Sequence, residues 1–488
     1  MAGKPFIAKT VCDGQHYVYD VNSNHILNVD EAVYRAIDYW GVSTLREAER
    51  ALRPIPAGEV RRAWREIREH AKRGLFSSSR PEGISYGISP TDTRELLKSK
   101  MEHLVLNVTE RCNQRCGYCV YSSSYKYRRS HSERMMQREV AFKAVDLFLN
   151  HSRQSETVRM GFYGGEPLLN FPLIEEVVSY VKSKEPAERL RFNLTTNLTL
   201  LTGRMLEFLA ANDVSLLVSL DGPEEIHDRY RVFAGGNGTH AVVMRNLRKI
   251  RDTAPEYYSK KIRFSAVVAP PNQITKLHDF VQENELLKDA GHAVGDVDDR
   301  ETTFLNRFTR EERTIPDYQE LVERYVQRVT ETGEAGDQFL QEVVGRKMLR
   351  LYRREIGIQM RSYEHPNGVC MPGLRRLLVS VDGKFHICEK INESLSIGDV
   401  QHGLDFDRID SIIREYAEKS SPSCRECWAI RLCSLCYIHA TTDRLDFEKK
   451  AERCEGHRNS LLAAMGLYCR ILKKNPTALD YMRDYAVS

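Results

Sequence analysis

An α/β fold is predicted for this 488-residue chain from two observations. From about Met101 onward, short apolar runs alternate with segments of helical periodicity, the order expected of parallel strands joined by helices. The loops after the first two runs carry residues of chemical character, three cysteines in one and Gly-Gly-Glu-Pro in the other. Whether such a sheet is open or closed into a full or partial barrel, its chemistry gathers at the carboxyl ends of the strands.

Taken in order, residues 1–90 read as a separate small domain. His16 to Asn22 and Ile26 to Val29 flank a Ser-Asn-His turn, the pattern of a hairpin. Asp30 is a candidate N-cap for a helix carrying Val33, Ile37 and Trp40. A second helix from about Gly58 to Arg73 places Val60, Trp64, Ile67 and Ala71 on one face and leaves Arg61, Arg62, Arg65, Arg68 and Lys72 as a basic exterior. Ser77 to Thr93 reads as a linker. In the stretch 91–300, strands are expected at Leu104–Thr109, Val158–Tyr163, Arg191–Thr196, Leu216–Leu220 and Ile262–Val268, with a weaker one near His292–Val297. Residues 301–365 form a charge-rich, mostly helical bridge with an apolar stripe of Tyr318, Leu321, Val322 and Tyr325. Residues 366–488 hold eight of the twelve cysteines. The Met135-Met136 pair reads as core.

Composition narrows the classes. Hydrophobic residues at 41% and charged residues at 29% are those of a globular protein, and no apolar run is long enough to span a bilayer. A net charge of +4 with interspersed signs gives no footprint for nucleic acid. Met1 to Thr10 lacks the pattern of a secretion signal, so a cytoplasmic location is expected. In that compartment twelve cysteines read as metal ligands or catalytic thiols rather than disulfides.

Their spacing carries the chemistry. Cys112, Cys116 and Cys119 place three thiolates on one short loop, enough for three corners of a four-iron cluster with the fourth iron left open. An open iron can chelate the amino and carboxylate groups of S-adenosylmethionine (SAM) and pass one electron to its sulfonium. Tyr118 is placed to lie against an adenine ring. A zinc site would ordinarily close with four ligands, and a two-cysteine redox motif has no need of Cys112.

This signature, with Gly164-Gly165-Glu166-Pro167 after the second strand, resembles the radical SAM superfamily. The resemblance implies a partial (β/α)6 TIM barrel over about residues 100–300 and reductive cleavage of SAM to methionine and a 5′-deoxyadenosyl radical. Gly164 and Gly165 let backbone approach the ligand and Glu166 accepts from the SAM ammonium. Asn197, Ser219 and Asp221 stand where related enzymes contact the methionyl or ribose part of SAM, although an N-cap or turn role fits each equally.

The remaining cysteines resemble the seven-cysteine SPASM domain: Cys370, Gly383, Cys388, then Cys424, Cys427, Cys433, Cys436 and Cys454. One departure is that two residues rather than three separate Cys433 from Cys436. The resemblance implies two auxiliary [4Fe–4S] clusters, for three in all, one held by Cys424, Cys427, Cys433 and Cys454 and the other by Cys370, Cys388 and Cys436. The second set lacks a fourth cysteine, which leaves either an open iron able to bind a substrate thiolate, or Cys469 or His365 as the fourth ligand. Cys12 stays unassigned.

The N-terminal hairpin and helices resemble the winged-helix domain that recognises leader peptides of ribosomally made precursors by strand addition, and the basic helix would suit an acidic leader. Cys116–Ser122, Arg129–Ser132, His365-Pro366-Asn367-Gly368-Val369-Cys370 and Cys388-Glu389-Lys390 resemble maturases of cysteine-rich peptides. These make the thioether links of ranthipeptides and sactipeptides, here with an Asp or Glu side-chain carbon as the preferred acceptor. The resemblance further implies a one-electron reductant such as flavodoxin or ferredoxin. Glu389 is a candidate catalytic base. Three rivals remain: a sulfatase maturase making formylglycine, carbon–carbon peptide cross-linking, and a non-catalytic iron–sulfur sensor.

Overall fold

The computed structural model describes residues 3–87, 89–271, 273–366 and 368–485. The N-terminal reading at Met1 and the Asn367 position of the run before Cys370 therefore fall outside the described residues.

The first 72 residues form an antiparallel meander, β1 (Ile7–Cys12), β2 (Gln15–Asp20) and β3 (His25–Val29), followed by helices Glu31–Ala36, Leu45–Ala51 and Ala57–Lys72. The expected hairpin is β2–β3. β1 is an additional strand whose Ile-Ala-Lys-Thr-Val sequence has weak alternation. Asp30 caps its helix as expected, its carboxylate accepting from the Val33 N–H at 2.9 Å. That helix ends at Ala36, and Trp40 instead reaches the small core from the following turn, edge-on to Trp64 at 5.1 Å. The last helix buries Val60, Ala63, Trp64 and Ile67. Its basic face is partly spent, because Arg61 bridges to Glu49 and Arg62 to Asp30 and Glu66.

The linker contributes a two-residue strand, β4 (Gly83–Ile84). Six parallel strands follow: β5 (His103–Thr109), β6 (Val158–Gly164), β7 (Leu190–Thr196), β8 (Ser215–Ser219), β9 (Ile262–Val268) and β10 (Gly291–Asp296). All lie within a residue of the expected positions. β5 is buried along both faces, whereas β7, β8 and β9 alternate, burying Phe192, Leu194, Leu216, Val218, Phe264 and Val268 on one face and leaving Thr195, Leu217 and Val267 half-buried on the other.

β11 (Tyr363–Glu364) pairs with β4. Beyond it, β12 (Leu377–Val379) adds parallel to β5 and continues through β13 (Lys384–His386), β14 (Ser396–Asp399) and β15 (Gly403–Leu404) as antiparallel strands. The result is one ten-stranded sheet in the order β10-β9-β8-β7-β6-β5-β12-β13-β14-β15. The bridge contains helices Tyr318–Thr332 and Arg346–Tyr352, the first burying Leu321, Val322 and Tyr325. Helix Phe447–Lys474 runs back to pack on β1. Among the described residues no helix is long and apolar enough to cross a membrane.

Phe385 in β13 is fully buried. Phe385→Ala is expected to cost about 3–5 kcal/mol. Because the sheet is continuous, hydrogen exchange should accelerate in β5 as well as in β12 and β13.

Candidate active site

β5 ends at Thr109, and the chain turns into a loop that brings Cys112, Cys116 and Cys119 to the wall of a cavity of about 300 Å³ at the carboxyl end of the barrel. Arg134 grips the buried Glu110 with two hydrogen bonds, which anchors the start of this loop. Burial pushes the Cys112 thiol up to about 12 and the Cys116 thiol up to about 11, with added repulsion from Cys116 and Cys119 at Cys112 and from Cys119 at Cys116. Donors stand ready to offset that cost. The Gln114 N–H donates to Cys112 Sγ at 3.4 Å, Arg231 Nη1 lies 4.0 Å from Cys116 Sγ, and His131 Nε2 lies 3.7 Å from Cys119 Sγ.

Among the described residues no three such side chains converge tightly enough for a single metal ion. The three thiols instead line a shared space, which fits a multi-iron cluster whose corners each take one thiolate.

β6 delivers Gly164-Gly165-Glu166 to the same cavity. A Cβ on Gly164, at φ +142°, would overlap the Thr109 carbonyl, and one on Gly165 would overlap the Arg111 carbonyl. These glycines thus let β6 close against the cysteine loop itself, where the Gly165 N–H donates to Thr109 O and the Glu166 N–H to Arg111 O, both at 2.8 Å. Glu166 is buried and accepts from Thr196 Oγ1 at 2.7 Å, from the Asn197 N–H at 2.7 Å and from the Leu168 N–H at 3.1 Å. Burial raises it to about 7.

The other expected SAM contacts divide. Ser219 and Asn197 line the cavity, but the Asn197 side chain is held by Asn113 and Thr199, as a turn residue would be. Asp221 does not line it. Its carboxylate is occupied by the Tyr118 hydroxyl, Arg231 Nε at 2.9 Å and the Val267 N–H at 3.0 Å, so Asp221 positions Tyr118 and Arg231 rather than facing a ligand. The Tyr118 ring sits edge-on to Tyr230 and Phe304.

Arg231 was missed in the sequence because its role depends on partners far along the chain, and Gln114, two residues from Cys112 and from Cys116, because its part is played by a backbone N–H and an amide that no ligand pattern marks. His131 lies in the Arg129–Ser132 run, which fixes no role for it. Tyr121 and Tyr163 also line the cavity, and the Glu389 charge is felt at Tyr163. Arg376 holds one oxygen of Glu389, while Oε2 is buried without a partner among the described residues.

The C-terminal cysteines fall into two neighbourhoods. Cys424, Cys433 and Cys454 are each raised by burial and lowered by the charge of Lys450, and Cys427 acts on all three. Lys450 is itself buried, 3.5 Å from Cys424 Sγ and 2.6 Å from Ser420 Oγ. One enclosed cation therefore faces this group, a donor set suited to an anionic cluster. Cys370 is acted on by Cys436, and Cys388 by Cys370.

Cys469 belongs to neither group. It faces Cys12 where helix Phe447–Lys474 meets β1, which removes it as a fourth ligand. His365 remains near: its ring is 4.2 Å from that of Tyr86, whose hydroxyl donates to the Cys370 carbonyl at 3.1 Å.

Comparison with known proteins agrees with this geometry. Residues 106–259 match the model of the Radical SAM superfamily. An uncharacterised protein of Methanocaldococcus jannaschii is 35% identical over 136 residues, covering 28% of this chain and 44% of that one. A cysteine-type anaerobic sulfatase-maturating enzyme of Clostridium novyi is 30% identical over 156 residues, covering 32% of this chain and 41% of that one. The chain thus matches less than half the length of these relatives. The solved structure of native anSMEcpe with bound AdoMet shares the fold, at 19% identity and a TM-score of 0.56 over 79% of this chain and 100% of that one.

A carboxylate pairs with the SAM ammonium and a neutral acid does not, so SAM affinity is expected to rise as pH increases through about 7. Glu166→Gln should flatten that profile and weaken binding about tenfold or more, the worth of a charge-assisted hydrogen bond, as read by equilibrium dialysis. Gly165→Ala, which drives a Cβ into the Arg111 carbonyl, should lower the iron bound per chain after anaerobic reconstitution while the far-ultraviolet circular dichroism stays native.

Proposed function

We propose that this protein is a radical SAM peptide maturase that joins a cysteine sulfur to a side-chain carbon, with Asp or Glu the preferred acceptor, in a ribosomally made precursor. One observation carries the reading. Cys388 and Glu389 follow strands that extend the barrel sheet from β5, and the Glu389 charge is felt at Tyr163, which lines the SAM cavity, so a second cysteine group lies on the same sheet beside the first.

In this reading residues 1–90 recruit the leader, 91–300 house SAM, 301–365 bridge, and 366–488 hold two further clusters. Within the N-terminal sheet β1 packs on helix Phe447–Lys474, while β3 pairs only with β2 among the described residues. β3 is therefore the edge on which a leader strand would add. The four-iron cluster, when bound by Cys112, Cys116 and Cys119, supplies the electron that cleaves SAM to a 5′-deoxyadenosyl radical, the reductant being a flavodoxin or ferredoxin.

The chain's own residues then do the rest. Glu166 holds the ammonium of SAM, and Asp221 fixes Tyr118 and Arg231 at the cavity wall. Glu389 takes the proton released as the substrate thiol becomes a thioether, through the carboxylate oxygen that has no donor among the described residues. Loss of the abstracted hydrogen atom, one proton and one electron accounts for the two hydrogens lost per bond; Cys370, Cys388 and Cys436 would hold the cluster that accepts that electron.

The likeness to a sulfatase-maturating enzyme favours formylglycine formation as the second reading. The test is the product mass after incubation of reconstituted, reduced protein with SAM and a cysteine-rich precursor. Loss of two hydrogens with loss of an alkylatable thiol supports the thioether. An aldehyde in place of a thiol supports formylglycine, and loss of two hydrogens with all thiols free supports a carbon–carbon link. Absence of 5′-deoxyadenosine overturns both main readings. Glu389→Gln is expected to lower the ratio of cross-linked peptide to 5′-deoxyadenosine by about a hundredfold or more, the range for loss of a general base.

A further inference from the structure

We infer that a second cavity, of about 660 Å³, docks carboxylate-bearing segments of the peptide substrate. The inference rests on the peptide-maturase reading above. The cavity lies where the N-terminal sheet, the linker around Tyr86, helix Arg346–Tyr352 and the chain at Tyr363–His365 meet, apart from the SAM cavity.

Its lining is strongly cationic. Arg346, Arg350, Arg353, Arg354, Arg361 and Arg431 face two carboxylates, Glu355 and Glu364. Arg346 bridges to Glu342, but others are held by neutral carbonyls. Arg350 donates to Cys433 O at 2.6 Å, Arg353 to Met482 O at 2.9 Å and Arg354 to Asn24 O at 2.8 Å. A carbonyl fixes a guanidinium in place without cancelling its charge. Clustered cations in a recess with low-dielectric walls focus a positive potential on whatever enters, and the guanidinium fork matches a carboxylate.

The surroundings favour a peptide as the occupant. Asn24, immediately before β3, forms part of the wall and donates to Glu355 O at 3.1 Å. A strand added antiparallel to the open edge of β3 would leave the sheet at His25, beside this wall. At the inner wall stand Tyr86, bonded to the Cys370 carbonyl, and His365, whose Nε2 is buried without a partner among the described residues. A chain leaving β3 would thus pass the arginines before reaching the Cys370 loop. The basic helix Ala57–Lys72 is the weaker receptor for acidic residues, since Arg61 and Arg62 are already bridged to carboxylates.

The test is fluorescence anisotropy of fluorescein-labelled Gly-Asp and Gly-Asn repeat decapeptides with the full-length reconstituted protein. The acidic peptide is expected to bind at least about tenfold more tightly, a preference that weakens with salt. The double variant Arg353→Gln/Arg361→Gln, at two exposed positions outside the Glu342 bridge, should abolish the preference, its fold being checked by circular dichroism. Arg361→Gln alone replaces it if the pair misfolds.

Equal binding of the amide peptide, or a preference that survives the variant, overturns the proposal. So does displacement of the acidic peptide by single-stranded oligothymidylate at lower concentration than by its unlabelled copy, which would assign the cavity to nucleic acid. Because the preference is read without turnover, a failed search for cross-linked product leaves it standing. A processed precursor with no carboxylate preference sinks the cavity assignment alone.

Discussion

The parallel pairing of β5 with β12 is the constraint on which the architecture depends. β5 ends in the three-cysteine loop, β6 on one side ends in Gly164-Gly165-Glu166, and β12 on the other leads through β13 to Cys388-Glu389. Neighbouring strands in a sheet lie about 5 Å apart. Three segments far apart in the chain are therefore held side by side by backbone hydrogen bonds, which do not depend on side-chain identity.

Around that frame the protein manages one recurrent electrostatic problem, the burial of many thiols in small volumes. Desolvation opposes their ionisation at every cysteine of the three groups for which a shift is resolved, and each group has its own source of relief. Arg231 and backbone N–H groups serve the first, Lys450 the four-cysteine group, and nearby Arg375, Arg376 and Arg300 the last. Lys450 is one helical turn from Cys454 and Arg375 and Arg376 lie within six residues of Cys370, but Arg231 and Arg300 come from far along the chain, so the sites are completed only as the whole fold closes. The same logic applies to Asp221, which ties Tyr118 to Arg231 beneath the cavity wall.

Much of this was legible in the chain. The six barrel strands could be read because their apolar runs are short, bounded by loops and alternate with segments of helical period. The cysteine spacings could be read because ligands on one loop must be near in sequence. Less legible were β1, whose alternation is weak, and the early end of the helix after Asp30, which tertiary packing of Trp40 on Trp64 overrides. The expected SAM contacts after β7 and β8 were the least secure: Asn197 and Asp221 have the side chains of ligands, but their hydrogen bonds go to Asn113, Thr199, Tyr118 and Arg231.

By itself the sequence determined the α/β class, the order of its strands and the three local cysteine motifs, since these follow from periodicity and from ligand spacing within single loops. Only the tertiary structure decided that the C-terminal strands prolong the barrel sheet, that Cys469 meets Cys12 and not the three-cysteine group, and that scattered arginines gather around one recess. Those outcomes depend on contacts between residues hundreds of positions apart, and no local pattern encodes such contacts.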